Sequence, residues 1–211
     1  MEEILFEDKE LLVVYKRAGI AVQTRRVTEQ DLESRVKNYL AQKDPGKKPG
    51  VHVIHRLDQP VEGIVLFAKT KKTAAALERQ LAEGEMEKIY HAVTDGTIPA
   101  GSGVLKDRLQ KDAKTNRSHV VSEGGKLSEL SYRKIGPEEV EITLLTGRHH
   151  QIRVQLAHAG MPVRGDRKYG LPGSGRGYAP LMLAEAGLAF VHPADGRKMD
   201  FSIIPWFDQK N

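Results

Sequence analysis

Asp58 stands between the pair His55-Arg56 and the apolar run Ile64 to Ala68, inside His55-Arg56-Leu57-Asp58-Gln59-Pro60-Val61-Glu62-Gly63. A carboxylate held at the end of a strand beside a guanidinium stays ionised, because the neighbouring positive charge outweighs partial desolvation. An acid in that state can act as a nucleophile or a base. An Asp ahead of a proline also has a plainer use, capping a turn through nearby backbone amides. The His-Arg pair and Gly63 exceed what a turn needs, and they favour chemistry at Asp58.

A second segment, Thr146-Gly147-Arg148-His149-His150-Gln151-Ile152-Arg153, crowds a Gly turn, two His, a Gln and two Arg into the start of a helix. Backbone amides at a helix start, joined by cationic side chains, suit an anion. Arg153 taken alone would be read as a solvated helix residue, and Tyr90 as a core aromatic whose hydroxyl needs a partner. His52, His55 and Asp58 recur every three residues and invite a metal reading, since imidazole and carboxylate are ligands of hydrolytic zinc. On a strand, however, residues three apart point to opposite faces, so His52 and His55 could not share one ion without a bend. A glycosidase would need a second carboxylate flanking the bond, and only Glu62 is near. Neither a phosphate-binding GxxxxGK[ST] loop nor a GxGxxG turn opening a helix is present, which removes phosphoryl transfer and dinucleotide chemistry.

The elements that must carry these residues follow from periodicity. Ile4 to Asp8 and Leu11 to Lys16 read as a hairpin. Thr28 with Asp31 resembles a capping box, and Leu32, Val36 and Leu40 then predict a helix over 29–43. Lys43 to Gly50 is a Pro/Gly/Lys connection. Val51 to Leu57 and Gly63 to Lys69 read as strands around Asp58, followed by a helix from Lys71 to Glu83 that stops at Gly84. Strands are expected at Lys88 to Val93, Ser118 to Ser122, Leu127 to Ile135 and Val140 to Leu145, with a basic loop carrying Lys106, Arg108, Lys111, Lys114 and Arg117 among them. A helix from Gln151 to Ala159 places Arg153 in its first turn, Leu171 to Pro180 reads as a loop, and Leu183 to Val191 and Met199 to Ile204 close the sheet. Strands and helices without strict alternation argue an α+β fold.

Composition sets the outer bounds. Of 211 residues, 33 are Lys or Arg and 28 Asp or Glu, a net +5 compatible with a polyanionic partner. Without cysteine, disulfides and thiolate metal sites are excluded. The start Met1-Glu2-Glu3-Ile4 carries no apolar signal region, and no apolar run approaches the ~18 residues of a membrane span. The expectation is a soluble cytoplasmic protein with no membrane association.

Taken together, His55-Arg56-Leu57-Asp58 with Gly63 and Ala68-Lys69, Tyr90 within Lys88-Ile89-Tyr90-His91-Ala92, Gly147 to Arg153, and Gly165-Asp166-Arg167-Lys168-Tyr169-Gly170 resemble an RluA-type pseudouridine synthase. Glu7-Asp8 to Lys16-Arg17-Ala18-Gly19 is similar to that family's first motif, so the resemblance spans residues ~4 to 205 in the family's order. It implies one catalytic domain over 1–211, with a mixed, mostly antiparallel sheet, flanking helices and a central RNA-binding cleft. It further implies isomerisation of a specific uridine in ribosomal or transfer RNA after the base is flipped out, with no cofactor and no metal. Asp58 would be the catalytic aspartate, Arg153 its ion-pair partner and Tyr90 the aromatic against the base. Arg56 would fill the gap left in the duplex, and His55, Arg148, His150, Gln151 and Ile152 would contact RNA or substrate. The chain departs from the family at Val61-Glu62, where Thr-Ser is common, and at Arg17, where Pro is usual; Glu62 would add negative charge beside a phosphate-binding cleft. The family's small N-terminal S4 module is expected to be absent, because the first motif begins at Ile4. No heptad or large apolar stripe is evident, so a monomer is expected. Two other readings stay open: an RNA-binding factor without turnover, and a metal-dependent hydrolase.

Overall fold

A computed structural model describes residues 3–24, 30–46, 48–99, 101–171 and 180–208. The chain gathers into two compact units, Met1–Met86 with Glu185–Pro205, and Glu87–Ala184 with Trp206–Asn211.

In the first unit, β1 (Ile4–Glu7) and β2 (Leu11–Lys16) form the expected antiparallel hairpin. Asp8 makes its turn, with Oδ1 accepting from the amides of Glu10 and Leu11 at 2.8 Å each. Helix α1 (Leu32–Lys43) begins later than the expected residue 29, because Asp31 is the N-cap and accepts from the Ser34 amide at 2.8 Å. Thr28, the expected cap, lies outside the described residues.

After α1 comes a short strand β3 (His52–Val53), then β4 (Glu62–Ala68) and α2 (Lys71–Glu83). The expected strand to Leu57 ends at Val53. Ile54 still donates to the Leu66 carbonyl at 3.1 Å, but the next residue turns its ring inward, and residues 54–58 leave the ladder. Every residue of β4 is buried, as an apolar run covered on both faces requires. Helix α2 lies where periodicity placed it: Thr70 caps its start, and Gly84 ends it at φ 76, a conformation that suits glycine.

The second unit contains β5 (Glu87–Val93), β6 (Ser102–Asp112), β7 (Arg117–Val120), β8 (Lys126–Lys134), β9 (Glu139–Leu144) and α3 (Gln151–His158). Its strands run in the order β5-β9-β8-β6-β7. The expected basic loop is the correction here: Lys106, Arg108 and Lys111 lie on β6, Lys114 in the turn and Arg117 on β7. Of the β6 residues only Leu109 is buried, so the apolar alternation that marks a strand is missing. Its ladder to β8, from Ser102↔Arg133 to Leu109↔Lys126, defines the strand in spite of that.

The chain returns through β10 (Leu183–Val191), which from Glu185 onward belongs to the first unit, and ends its sheet at β11 (Lys198–Ser202). That unit's strands run β1-β2-β4-β10, with β11 on β10 and β3 on β4. Leu11, Val13, Ile64, Leu66, Leu77 and Phe190 form the centre of its core. The α+β class expected from the order of elements is the class observed.

Candidate active site

Asp58 is half-buried on the connection between β3 and β4, and its carbonyl accepts from the Val61 amide at 3.0 Å. The turn that follows is pinned by the end of β2. The Lys16 ammonium, fully buried, donates to the carbonyls of Arg17 at 3.2 Å, Ile20 at 2.8 Å and Gln59 at 3.3 Å. Gly19 and Gln59 exchange two further bonds, amide to carbonyl at 2.8 Å and side-chain amide to carbonyl at 3.1 Å. Hydrogen bonds from an ionised donor are among the stronger ones, so the backbone beside Asp58 is held firmly.

Both ends of the connection are also tied down. His55 is buried, with Nε2 3.2 Å from the Ile64 carbonyl and 3.1 Å from Oε1 of Glu185. Glu62 is buried too, and the Tyr15 hydroxyl donates to its Oε2 at 2.7 Å. Burial and the Glu62 carboxylate together push the Tyr15 phenol well above its ordinary pKa. This corrects the expectation for Glu62, whose charge faces Tyr15 inside the sheet rather than a surface for phosphates. Arg56 is exposed.

The second unit carries the other predicted group. Arg153, on the first turn of α3, pairs with Asp166 through two bonds, Nε to Oδ2 at 2.7 Å and a terminal nitrogen to Oδ1 at 2.8 Å. Oδ1 also accepts from the amides of Lys168 at 2.8 Å and Tyr169 at 3.1 Å. Burial raises the Asp166 pKa, but the Arg153 guanidinium and these amides outweigh it and hold the carboxyl below its ordinary value. The Tyr169 ring lies under the guanidinium, 5.3 Å from Cζ to centroid, a cation–π contact.

The Tyr169 hydroxyl accepts from the Ser118 amide at 2.8 Å and meets Nδ1 of His150 at 2.7 Å. His150 holds φ 55 at the start of α3, in the left-handed region, and stacks on His149 with centroids 3.8 Å apart. His149 is itself fixed by Ser118 Oγ at 2.9 Å and Asn116 Oδ1 at 3.1 Å. One network thus joins the β6–β7 turn, the start of α3 and residues 166–169.

The remaining predicted residues divide by environment. Gln151 is buried and folds the loop, its Oε1 accepting from Thr146 Oγ1 at 2.8 Å and the Arg148 amide at 3.0 Å, while Nε2 donates to the Glu129 carbonyl at 3.1 Å. Ile152 is in the core. Arg148 is exposed, with Nε donating to the Leu127 carbonyl at 3.3 Å. Tyr90 is buried on β5, opposite Ile142 of β9. The structure therefore brings His150 and Arg153 together on Tyr169, and places His55 at the head of the Asp58 connection. Lys16, Ser118, Asp166 as the partner of Arg153, and Glu185 were not singled out in the sequence. The signal for Glu185 was there: a lone acid inside the otherwise apolar Leu183–Val191.

Among the described residues no helix is long and apolar enough to cross a membrane, and no group of three or more His, Asp or Glu side chains could hold a metal ion.

The first unit holds a half-buried aspartate on a connection, and the second preassembles Arg153, Asp166, Tyr169 and His150 at a helix start, side chains of the kinds that enzymes use. Comparison with known proteins makes the class specific. Residues 10–158 match the family model for RNA pseudouridylate synthases, and the chain belongs to that family. It is 31% identical to the ribosomal large subunit pseudouridine synthase D of Zymomonas mobilis, covering 94% of this chain and 68% of the relative. It is 30% identical to the dual-specificity RNA pseudouridine synthase RluA of Yersinia pestis, covering 94% and 96%. The solved structure of human RNA pseudouridylate synthase domain containing 4 shares the fold with a TM-score of 0.77 at 23% identity, over 98% of this chain and 90% of that one.

Proposed function

We propose that this chain isomerises uridine to pseudouridine in structured RNA, ribosomal or transfer, with Asp58 as the catalytic carboxylate. The observation that carries the reading is the anchoring of Asp58: within the matched segment, its neighbour Gln59 is held by Lys16 and Gly19 while its own carboxylate stays half-buried. A group that must meet one ribosyl or uracil carbon gains most from being fixed before the substrate arrives.

In this reading the target uridine leaves the helical stack, at a cost of a few kcal/mol, and is presented to Asp58. Tyr90 packs against the base and Arg56 occupies the place the nucleotide left, while Arg153 is kept in place by Asp166. The exposed Arg148 completes the RNA-facing set, while the buried His55, His150, Gln151 and Ile152 support it from within. The bond from N1 to the ribose breaks, the base turns, and a bond from C5 to the ribose forms; the C5 proton leaves and N1 gains one. Every atom other than exchanged protons is conserved, so the reaction calls for no oxidant and no group donor. The exposed side chains Lys106, Arg108 and Lys111 on β6 are suited to phosphates. The enzyme works as a monomer in the cytoplasm on this reading.

The test is to map pseudouridines across total RNA from cells carrying the wild-type gene, a deletion, or Asp58→Ala. Loss of the same sites in the deletion and the mutant is expected. A map unchanged by Asp58→Ala would leave an RNA-binding factor without turnover as the better reading.

A further inference from the structure

The connection that carries Asp58 enters at His55 and leaves at Gly63, and both ends rest on one residue from a distant strand, Glu185 of β10. At the entry, Nε2 of His55 lies 3.1 Å from Oε1 of Glu185 and 3.2 Å from the Ile64 carbonyl. A carbonyl oxygen only accepts, so Nε2 carries the proton. At the exit, Gly63 has φ +141, and a Cβ there would lie 2.6 Å from the Glu185 carbonyl oxygen and 2.7 Å from its nitrogen and Cβ. β4 therefore presses directly on the backbone of the residue whose side chain holds His55.

Glu185 is fully buried, and the His55 side chain is 7% exposed. Stability alone does not call for such a pair, because a buried ion pair is often replaced by well-packed apolar residues at no loss. A close polar contact in an apolar core does restrict how the two elements can sit, because either group loses by moving into apolar surroundings. The Nε2 proton of His55 goes to the Ile64 carbonyl, and Glu185 Oε1 lies against Nε2 at ion-pair distance rather than in a hydrogen bond, while Nδ1 is buried without a hydrogen-bond partner among the described residues.

We propose that Glu185 is a positioning residue for Asp58: it clamps the two ends of the connection, through the His55 ring at one and the Gly63 backbone at the other. Only the first clamp depends on the Glu185 side chain. This assignment rests on Asp58 being the catalytic carboxylate, and it gives that reading a residue about 130 positions away that none of the motifs contains.

The experiment compares wild type, Glu185→Ala, Glu185→Leu, Glu185→Gln and Asp58→Ala by single-turnover release of tritium from uridine C5. Transcripts of large-subunit ribosomal RNA and of transfer RNA serve as the probe. Glu185→Ala and the packing-conserving Glu185→Leu are expected to slow release about 10- to 100-fold, the penalty for small misplacement of a reacting group, with RNA affinity unchanged. Glu185→Gln keeps an oxygen of the same reach beside His55 Nε2 and should recover to within about threefold of wild type. In ¹⁵N spectra, the protonated Nε2 signal of His55 should persist in Glu185→Gln and shift in Glu185→Leu. Wild-type release by Glu185→Leu, equal slowing in Glu185→Gln and Glu185→Leu, or slowing matched by lost RNA affinity would each overturn the proposal. Asp58→Ala separates the two claims: release by that variant defeats the catalytic reading itself, whereas its silence beside fast Glu185 variants defeats only the positioning role.

Discussion

Arg153 and Asp166 form a two-bonded ion pair, at 2.7 and 2.8 Å, in which neither side chain is more than 6% exposed. The pair is thirteen residues apart in sequence and joins the first turn of α3 to the 166–169 segment. A buried guanidinium is tolerable only with such a partner, so Asp166 sets where the Arg153 guanidinium can be.

Removing that partner should be costly. Asp166→Ala leaves a buried, under-compensated cation, and we predict a loss of roughly 3–5 kcal/mol in urea unfolding. Asp166→Asn should lie between, because its NH2 would oppose Nε of Arg153. Arg153→Lys should not rescue activity, since an ammonium cannot make the two-bonded fork. Equal stability of Asp166→Ala and wild type would contradict this account of the cluster.

Acid should weaken the first unit through Glu7. Its Oε1 accepts from Lys69 at 2.7 Å, and Oε2 from Lys43 at 2.8 Å and Tyr39 at 2.7 Å. Burial works against the charge, but these donors prevail and lower its pKa from 4.5 to about 2. A depressed folded-state pKa means stability fully present above 4.5 and lost as pH falls toward about 2. Urea midpoints measured across that window should fall more steeply for wild type than for Glu7→Gln.

Gly63→Ala tests the close approach of β4 to β10. With φ +141 and a carbonyl oxygen 2.6 Å from the added carbon, something must shift. We expect roughly 1–3 kcal/mol of destabilisation from backbone strain, together with slower chemistry as the Asp58 connection moves. Thermal melting and single-turnover rates, measured on the same preparation, check both parts.

Tyr169→Phe separates the ring from the hydroxyl. The cation–π face under Arg153 stays, while the Ser118 amide and His150 Nδ1 lose their shared partner. A loss of about 1–3 kcal/mol is expected from the group left unsatisfied. Broadening of the His150 ring signals by NMR would locate the effect; unchanged signals would mean the hydroxyl does not order that ring.

Much of this fold was readable where side chains alternate or repeat by the rules of one element. Helix α2, with Thr70 and Gly84 at its ends, and strand β10 lie at the positions the pattern predicts. β6 was not readable, because it is defined by ladders on both edges and by packing of Leu109, with polar side chains at most outward positions. The site was legible only in part for a related reason. His55, Asp58 and Arg153 sit in dense local clusters of polar residues, whereas Asp166 and Glu185 act on them from other parts of the chain, and spacing carries no information about such partners.

Release of tritium from uridine C5 under single-turnover conditions decides whether Asp58 performs the chemistry. Wild-type protein should release tritium in proportion to the pseudouridine formed in ribosomal or transfer RNA transcripts. Asp58→Ala should release none while binding the same RNA with the same salt dependence, as phosphate-dominated affinity requires. Release by Asp58→Ala at the wild-type rate would contradict the account.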